Sequence, residues 1–508
     1  MCLEKANHLF PNRPAAKTLA AFCVLGALWA GAAFAEEQKS SDDRQTYLRS
    51  AGNSPSASQP IGELVQEGPN GGIWQRDQLL GDMGGLRSYL GNYGISFKLQ
   101  ETSEIFGNTS GGVKKGADYD GLTTATLQMD TQRAFGWRGG TVNISGLNVH
   151  GTNFSAQNLD NLQTASGIEA DRGLRLWEAW YDQAFLNNRA DVKIGQQSLD
   201  QEFMNSQYAG LFANSMFGWP MLPSADLPSG GPSYPLSSLG VRVLAQLLGP
   251  WSFLGGIFDD NPSGISPYGG ADSQQLNRTG TNFRLGDNPL AIMEIQYTHP
   301  ALGDLEYNGK ASALPGTYKL GFWYDGGRFA DQAYDNAGLS LANPASSSIP
   351  GLHRGDYSIY GVIDQMLWRE NPQSEESIGF FMRAMGAPEN RNLVDFSLNA
   401  GFTYREPFEY REDDVFGIGL GYTHVSGTAS GFDRQIAFYS ANGAFPVRSG
   451  ETFVEVTYQY QIAPWWSLQP DFQYVFNPGA GAVNPNDATS TERLGNETIF
   501  GLLTNITF

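Results

Sequence analysis

The side chains of this 508-residue chain that could do chemistry are carboxylates, cations and indoles set among alternating apolar positions. Glu178, Trp180, Lys193, Asp200, Glu202, Arg242, Trp323, Arg383 and Asp471 are the leading candidates. Carboxylate, ammonium and guanidinium groups hydrogen-bond hydroxyls, in bidentate fashion where two donors or acceptors line up. Indole faces pack against apolar C–H faces. Such groups can hold a polar solute reversibly, and no bond needs to break. Lys98, Glu104, Asp182, Gln197, Glu294, Gln296, Lys319, Asp325 and Gln473 occupy equivalent alternating positions and widen the set.

Catalytic constellations are weak by comparison. The five histidines, His8, His150, His299, His353 and His424, are scattered and show no H-E-x-x-H spacing. There is no G-x-S-x-G elbow. Carboxylate pairs of the kind that hydrolyse glycosides arise by chance in a chain with 52 Asp and Glu. The reading is therefore not an enzyme, with no cofactor, no metal site and no catalytic residue.

These side chains need a scaffold that gives every other residue a wet face. Residues 496–508 read N-E-T-I-F-G-L-L-T-N-I-T-F. Phe500, Leu502, Ile506 and Phe508 fall on one face at period two, and Glu497, Gly501 and Asn505 on the other. A strand of this pattern ending on an aromatic residue predicts the closing strand of an outer-membrane barrel. From Gly94 onward, alternation and turn residues mark sixteen strands, starting near residues 94, 119, 140, 174, 190, 239, 251, 291, 317, 357, 377, 396, 415, 452, 466 and 496. Strand fifteen sets Trp466, Leu468, Phe472, Tyr474 and Phe476 outward against Ser467, Gln469, Asp471 and Gln473. The connections alternate: short after most even strands, and long at about 150–174, 198–238, 259–290, 326–356, 425–451 and 477–495. The link after strand eight is long and the loop after strand eleven short, against that trend. The fold class expected is all-β, a transmembrane antiparallel β-barrel of about 16 strands with long external loops. The longest connection, 198–238, is the third external loop and is too rich in aromatics (Phe203, Tyr208, Phe212, Phe217, Trp219) to stay exposed. It is expected to fold inward and narrow the channel, with Asp200 and Glu202 at the constriction. A register slip by one residue would turn Trp177 and Tyr181 inward in place of Trp180. Trp323 reads equally well as an interfacial anchor.

Composition agrees. The chain is 41% hydrophobic with mean hydropathy −0.33, and no apolar run outside the N-terminus reaches the roughly 18 residues of a membrane helix. Residues 1–35 read as a secretory signal: Lys5, Arg13 and Lys17, then an apolar stretch from Leu19 to Ala33, then an Ala33-Phe34-Ala35 cleavage site. Both cysteines, Cys2 and Cys23, lie in it, so the mature chain is expected to lack disulfides. Losing three basic residues and Glu4 takes the formal charge from −20 to −22, which argues against nucleic-acid binding. Residues 36–76 read as a flexible periplasmic lead-in, 77–93 as a short helical segment and 94–508 as the barrel.

The chain resembles the carbohydrate-selective outer-membrane porins of the OprB type. The likeness is carried by Leu79-Leu80-Gly81-Asp82-Met83-Gly84-Gly85-Leu86-Arg87, Gly94-Ile95-Ser96-Phe97, Glu178-Ala179-Trp180-Tyr181-Asp182-Gln183, Lys193-Ile194-Gly195-Gln196, Asp200-Gln201-Glu202-Phe203 and Phe217-Gly218-Trp219-Pro220. The most specific stretch is Leu468-Gln469-Pro470-Asp471-Phe472-Gln473-Tyr474-Val475-Phe476-Asn477-Pro478-Gly479. Met83 stands where an aromatic is expected. The resemblance spans about residues 77–508 and implies passive diffusion of glucose and related sugars through a sixteen-stranded barrel. The competing readings are a general diffusion porin for ions and small polar solutes, and a non-porous surface β-protein. Expected partners are sugars, outer-membrane lipid and lipopolysaccharide, and the barrel-assembly machinery through Phe508. The state is monomer or homotrimer, in the outer membrane of a Gram-negative bacterium.

Overall fold

The structure is a computed structural model that describes residues 72–299, 314–371, 374–440 and 443–508. The expected signal, nearly all of the lead-in and most of the link after the eighth strand lie outside the described residues. Sixteen strands follow in order: β1 Ile95–Ser110, β2 Gly116–Asp130, β3 Gly140–Gly151, β4 Gly173–Phe185, β5 Ala190–Gln197, β6 Ser238–Gln246, β7 Trp251–Asp259, β8 Pro289–His299, β9 Gly316–Asp335, β10 Pro350–Arg369, β11 Ser377–Gly386, β12 Val394–Arg405, β13 Val415–Val425, β14 Gly450–Ala463, β15 Trp466–Phe476 and β16 Glu497–Thr507. Each pairs antiparallel with its neighbours, and β1 pairs with β16 to close the barrel. Closure satisfies every strand edge, which a chain surrounded by lipid requires. Among the described residues no helix is long and apolar enough to cross a membrane.

The alternation decides what faces lipid. Ile105, Ile144, Ile194, Leu320, Ile359, Phe402, Phe500 and Leu502 stand exposed on the outer surface. The inner face of β16 is more apolar than expected: Ile499 and Leu503 are buried there, in the same cluster as Phe106 and Phe154. The long connection expected at 326–356 is shorter. β9 runs on to Asp335 and β10 starts at Pro350, with ladder shifts between Pro350 and Leu352 and between Arg354 and Asp356. Gly326, Gly327 and Gly355 sit within the strands, Gly355 at φ 75°. The helix expected over 77–93 is α1 Leu86–Asn92 alone, because Gly84 and Gly85 at φ 70° and 94° interrupt the chain before it.

The third external loop folds into the barrel, as expected. It is built from short helical turns, the longest α2 Met221–Asp226. A second loop, residues 152–172, also lies inside: Phe154, Leu159 and Ala165 are fully buried. The two brace each other through Gly167 N–H to the Ala213 carbonyl (2.8 Å) and Ser215 N–H to the Thr164 carbonyl (3.1 Å). The sequence contrast between the two loops explains the omission. Loop 152–172 is polar in composition and shows little aromatic signal.

The seam between first and last strands is latched. Arg87 donates to the carbonyl oxygen of Gly81 and to a main-chain oxygen of Phe508. Leu79 N–H reaches the Thr507 carbonyl, and Phe508 N–H the Leu99 carbonyl, each at 2.9 Å. Trp465 donates to the Ile73 carbonyl at 2.8 Å and stacks on Trp74. Deleting Phe508 removes two of these bonds at once. The fraction of refolded protein that migrates as a compact, heat-modifiable species in detergent gels should fall sharply, and Arg87→Ala should lower it less. Normal yield after the deletion would show that the latch is dispensable.

Candidate functional site

A loop inside a barrel must find partners for its backbone away from water. The wall supplies them. Glu455 accepts from the N–H groups of Ala213 (2.6 Å) and Asn214 (3.0 Å). Glu294 accepts from Met204 N–H at 2.6 Å, and Asp364 from Gln207 N–H at 3.2 Å. Lys319 Nζ donates to the Asn205 carbonyl at 2.7 Å, and Gln469 to that of Leu211 at 2.8 Å. Wall glycines make room for the loop's rings: a Cβ on Gly417 would lie 2.9 Å from Phe212 Cζ, and one on Gly419 2.5 Å from Phe217 Cζ.

Six of the nine candidates gather at one side, where the loop leaves the wall. Register places Asp182, Lys193 and Arg242 in a row across β4, β5 and β6. Glu202, on the loop, reaches over this row. It pairs with Lys193, and its Oε2 lies 2.5 Å from Arg242 Nε. Arg242 also pairs with Asp191 and lies 3.6 Å from Asp182. Lys193 Nζ sits 4.3 Å from the centre of the Trp180 ring, a cation–π contact. Glu202 keeps 22% and Asp182 13% of its side-chain surface exposed, so the acidic side of the lattice is open, while Lys193 and Arg242 are buried. Glu178 and Asp200 lie deeper and hold the loop root. Glu178 accepts from Ser198 N–H (3.2 Å); Asp200 accepts from Ser198 Oγ (2.6 Å) and Tyr234 N–H (3.1 Å). Burial pushes the Asp200 carboxyl above its usual range.

The fourth strand keeps Trp180 inward and adds Trp177, while Tyr181 stays on the outer face beside Ile194. A bulge opposite Ser145 and Gly146 inserts a residue, so Trp177 and Glu178 both turn inward, with Trp180 following. Trp177 packs with Leu147, Val149 and Ala170.

The other three candidates stand apart from this cluster. Trp323 is fully buried, in the apolar cluster with Phe203, Phe258, Ile292 and Tyr360, and no solute reaches its face. Arg383, 1% exposed, is an anchor. Its guanidinium donates to the carbonyls of Met204 (2.7 Å), Met216 (2.5 Å), Phe217 (3.2 Å) and Gly218 (2.9 Å), and to Asn399. Asp471 accepts from Gln473 at 3.0 Å beside Glu455, under the loop.

The sequence matches the family model described as carbohydrate-selective porin, OprB family, over residues 114–508. The chain belongs to that family. Porin B of Pseudomonas aeruginosa is 24% identical over 434 residues, covering 79% of this chain and 87% of that protein. A putative porin, QuiX, of Acinetobacter baylyi is 26% identical over 439 residues, 82% of this chain and 92% of that one. A high-pH structure of Pseudomonas putida OprB shares the fold at TM-score 0.73 and 20% identity, over 86% of this chain and 100% of that one. This member is a porin for carbohydrates in the outer membrane of a Gram-negative bacterium. Family and fold are those of a channel rather than an enzyme.

Residues outside the nine candidates do much of this porin's positioning. Asp191, Asp364, Glu451 and Glu455 were not among them. The signal that could have found the last two is their inward place on a strand opposite a long loop. Arg383→Met should orphan four buried loop carbonyls, at roughly 1–3 kcal/mol each. Single-channel conductance should rise and become noisier, with barrel circular dichroism unchanged. Wild-type conductance would show that aromatic packing alone holds the loop.

Proposed function

We propose that solutes cross this porin by weak, saturable binding at the lattice of Asp182, Lys193, Glu202 and Arg242 beside Trp180, and that the solutes are pyranose sugars. One observation carries the reading: Glu202 and Asp182 keep part of their carboxylate surface exposed while pairing with Lys193 and Arg242 next to an indole, whereas Trp323 and Arg383 are sealed. Fixed donors and acceptors replace the water around hydroxyls, and partial pairing among the charges keeps each contact weak enough to release. A single-sign ring would instead favour ions.

Glu178 and Asp200 act as positioning residues, keeping Glu202 over the row through the loop root. Trp323, Arg383 and Asp471 act by holding the loop and the wall. The apolar belt meets outer-membrane lipid and lipopolysaccharide, and the strand ending in Phe508 is the signal to the assembly machinery.

The test is single-channel current in a planar bilayer with glucose titrated from zero. Saturable block is expected. Arg242→Ala should raise the half-blocking concentration by about tenfold, the loss of one charge-assisted contact, while Asp471→Ala changes it little. Ohmic current indifferent to sugar in the wild type would make this a general diffusion pore. Equal effects of the two substitutions would move the sugar site away from β4–β6.

A further inference from the structure

Three carboxylates from distant positions meet behind the second inward loop. Glu104 on β1, Asp120 on β2 and Glu169 on the loop each bring an oxygen to within 4.8 Å of the others. They are 2%, 5% and 9% exposed. Every hydrogen-bond donor that meets them among the described residues is neutral. Asp120 accepts from the N–H groups of Thr152 (2.8 Å), Asn153 (2.7 Å) and Phe154 (3.0 Å). Glu169 accepts from Ser155 N–H (2.8 Å) and Ser155 Oγ (2.9 Å). Glu104 Oε2 accepts from Ser166 Oγ at 2.7 Å.

One atom in this group has nothing to bind. Glu104 Oε1 is buried without a hydrogen-bond partner among the described residues. A buried carboxylate oxygen left open is costly, and the other two carboxylates add repulsion. Elsewhere on the wall, Glu451 and Glu455 are met by loop N–H groups and Asp191 by Arg242.

We propose that Glu104, Asp120 and Glu169 bind a hard divalent cation, Ca²⁺ in the first instance, which clamps loop 152–172 to the β1–β2 wall. The donor set is oxygen only, which suits Ca²⁺ or Mg²⁺ and not a thiolate- or imidazole-seeking metal. All three carboxylates touch the loop, so the ion ties wall to loop at the turn that braces the third loop through Gly167 and Ser215. The site stands apart from the lattice at Arg242, so sugar block and cation binding can fail separately. The spacing in sequence gives no hint of it, since positions 104, 120 and 169 lie on three separate elements.

The test uses the full chain, refolded in detergent free of lipopolysaccharide and treated with chelator. Tb³⁺ luminescence excited through the aromatic residues reports binding, and Ca²⁺ is added as competitor. Temperature of loss of the compact gel form reports clamping. In the wild type, Ca²⁺ at about 100 times its dissociation constant should raise that temperature by roughly 5 °C. It should also displace a saturable Tb³⁺ signal. Glu104→Gln and Glu169→Gln should each abolish both effects, and each should be at least as stable as the wild type in chelator, because repulsion is relieved. Glu492→Gln, on an exposed loop, should leave both effects intact. Ca²⁺ responses that persist in both cluster variants, or that are missing in the wild type, would overturn the proposal. If a cluster variant fails to refold, Ser166→Ala, which leaves all three carboxylates in place, should retain the Ca²⁺ shift; its loss there would also count against the site.

Discussion

The backbone of a loop inside a barrel has no water shell to fall back on, and the rest of this structure follows from meeting that demand. Carboxylates on the wall take loop N–H groups: Glu451 alone holds those of Leu162, Gln163 and Gly479. Arg383 and Lys319 take loop carbonyls. The acidic excess of the chain is therefore partly structural. Many of its Asp and Glu side chains replace solvent for peptide groups, and a buried carboxylate that receives two or three N–H bonds is far better satisfied than one that receives none.

The same demand shapes the channel. Anchoring the third loop from β8, β10, β11 and β14 commits those walls to loop contacts and seals Trp323 and Arg383. The loop root near β4–β6 is held by fewer groups, through Glu178, Asp200 and Glu202. There Glu202 and Asp182 stay partly exposed and pair with Lys193 and Arg242. The proposed solute lattice and loop retention thus use the same residue types with different partners: carboxylates for Arg242, loop carbonyls for Arg383. Glycine contributes by absence: Gly417 and Gly419 let phenyl rings pack against the backbone of β13, and any side chain there would push the loop into the pore.

Strand positions and inward faces were legible because period two is a local property. Asp471, Gln473 and Glu455 face inward as their neighbours require. The third loop's fate was legible too, since exposing Phe203, Phe212 and Phe217 to water would be unfavourable. What each inward residue does was not. Arg383 and Arg242 have the same type and the same alternation, yet one binds loop carbonyls and the other carboxylates. The difference lies in which part of the third loop passes overhead, which for Arg383 is a contact between positions more than 150 apart. The bulge that turns both Trp177 and Glu178 inward leaves no mark on composition either.

By itself the sequence determined the solvent on each side of each strand, the number and order of strands, and membership of a sugar-porin family, because these depend on hydrophobic alternation and short motifs. The tertiary structure alone decided that a second loop joins the third inside the barrel, which carboxylates stay partly exposed and which acids meet. Those outcomes depend on the path of loops through a closed space, where partners are chosen by proximity in three dimensions and by the need to satisfy every buried polar group.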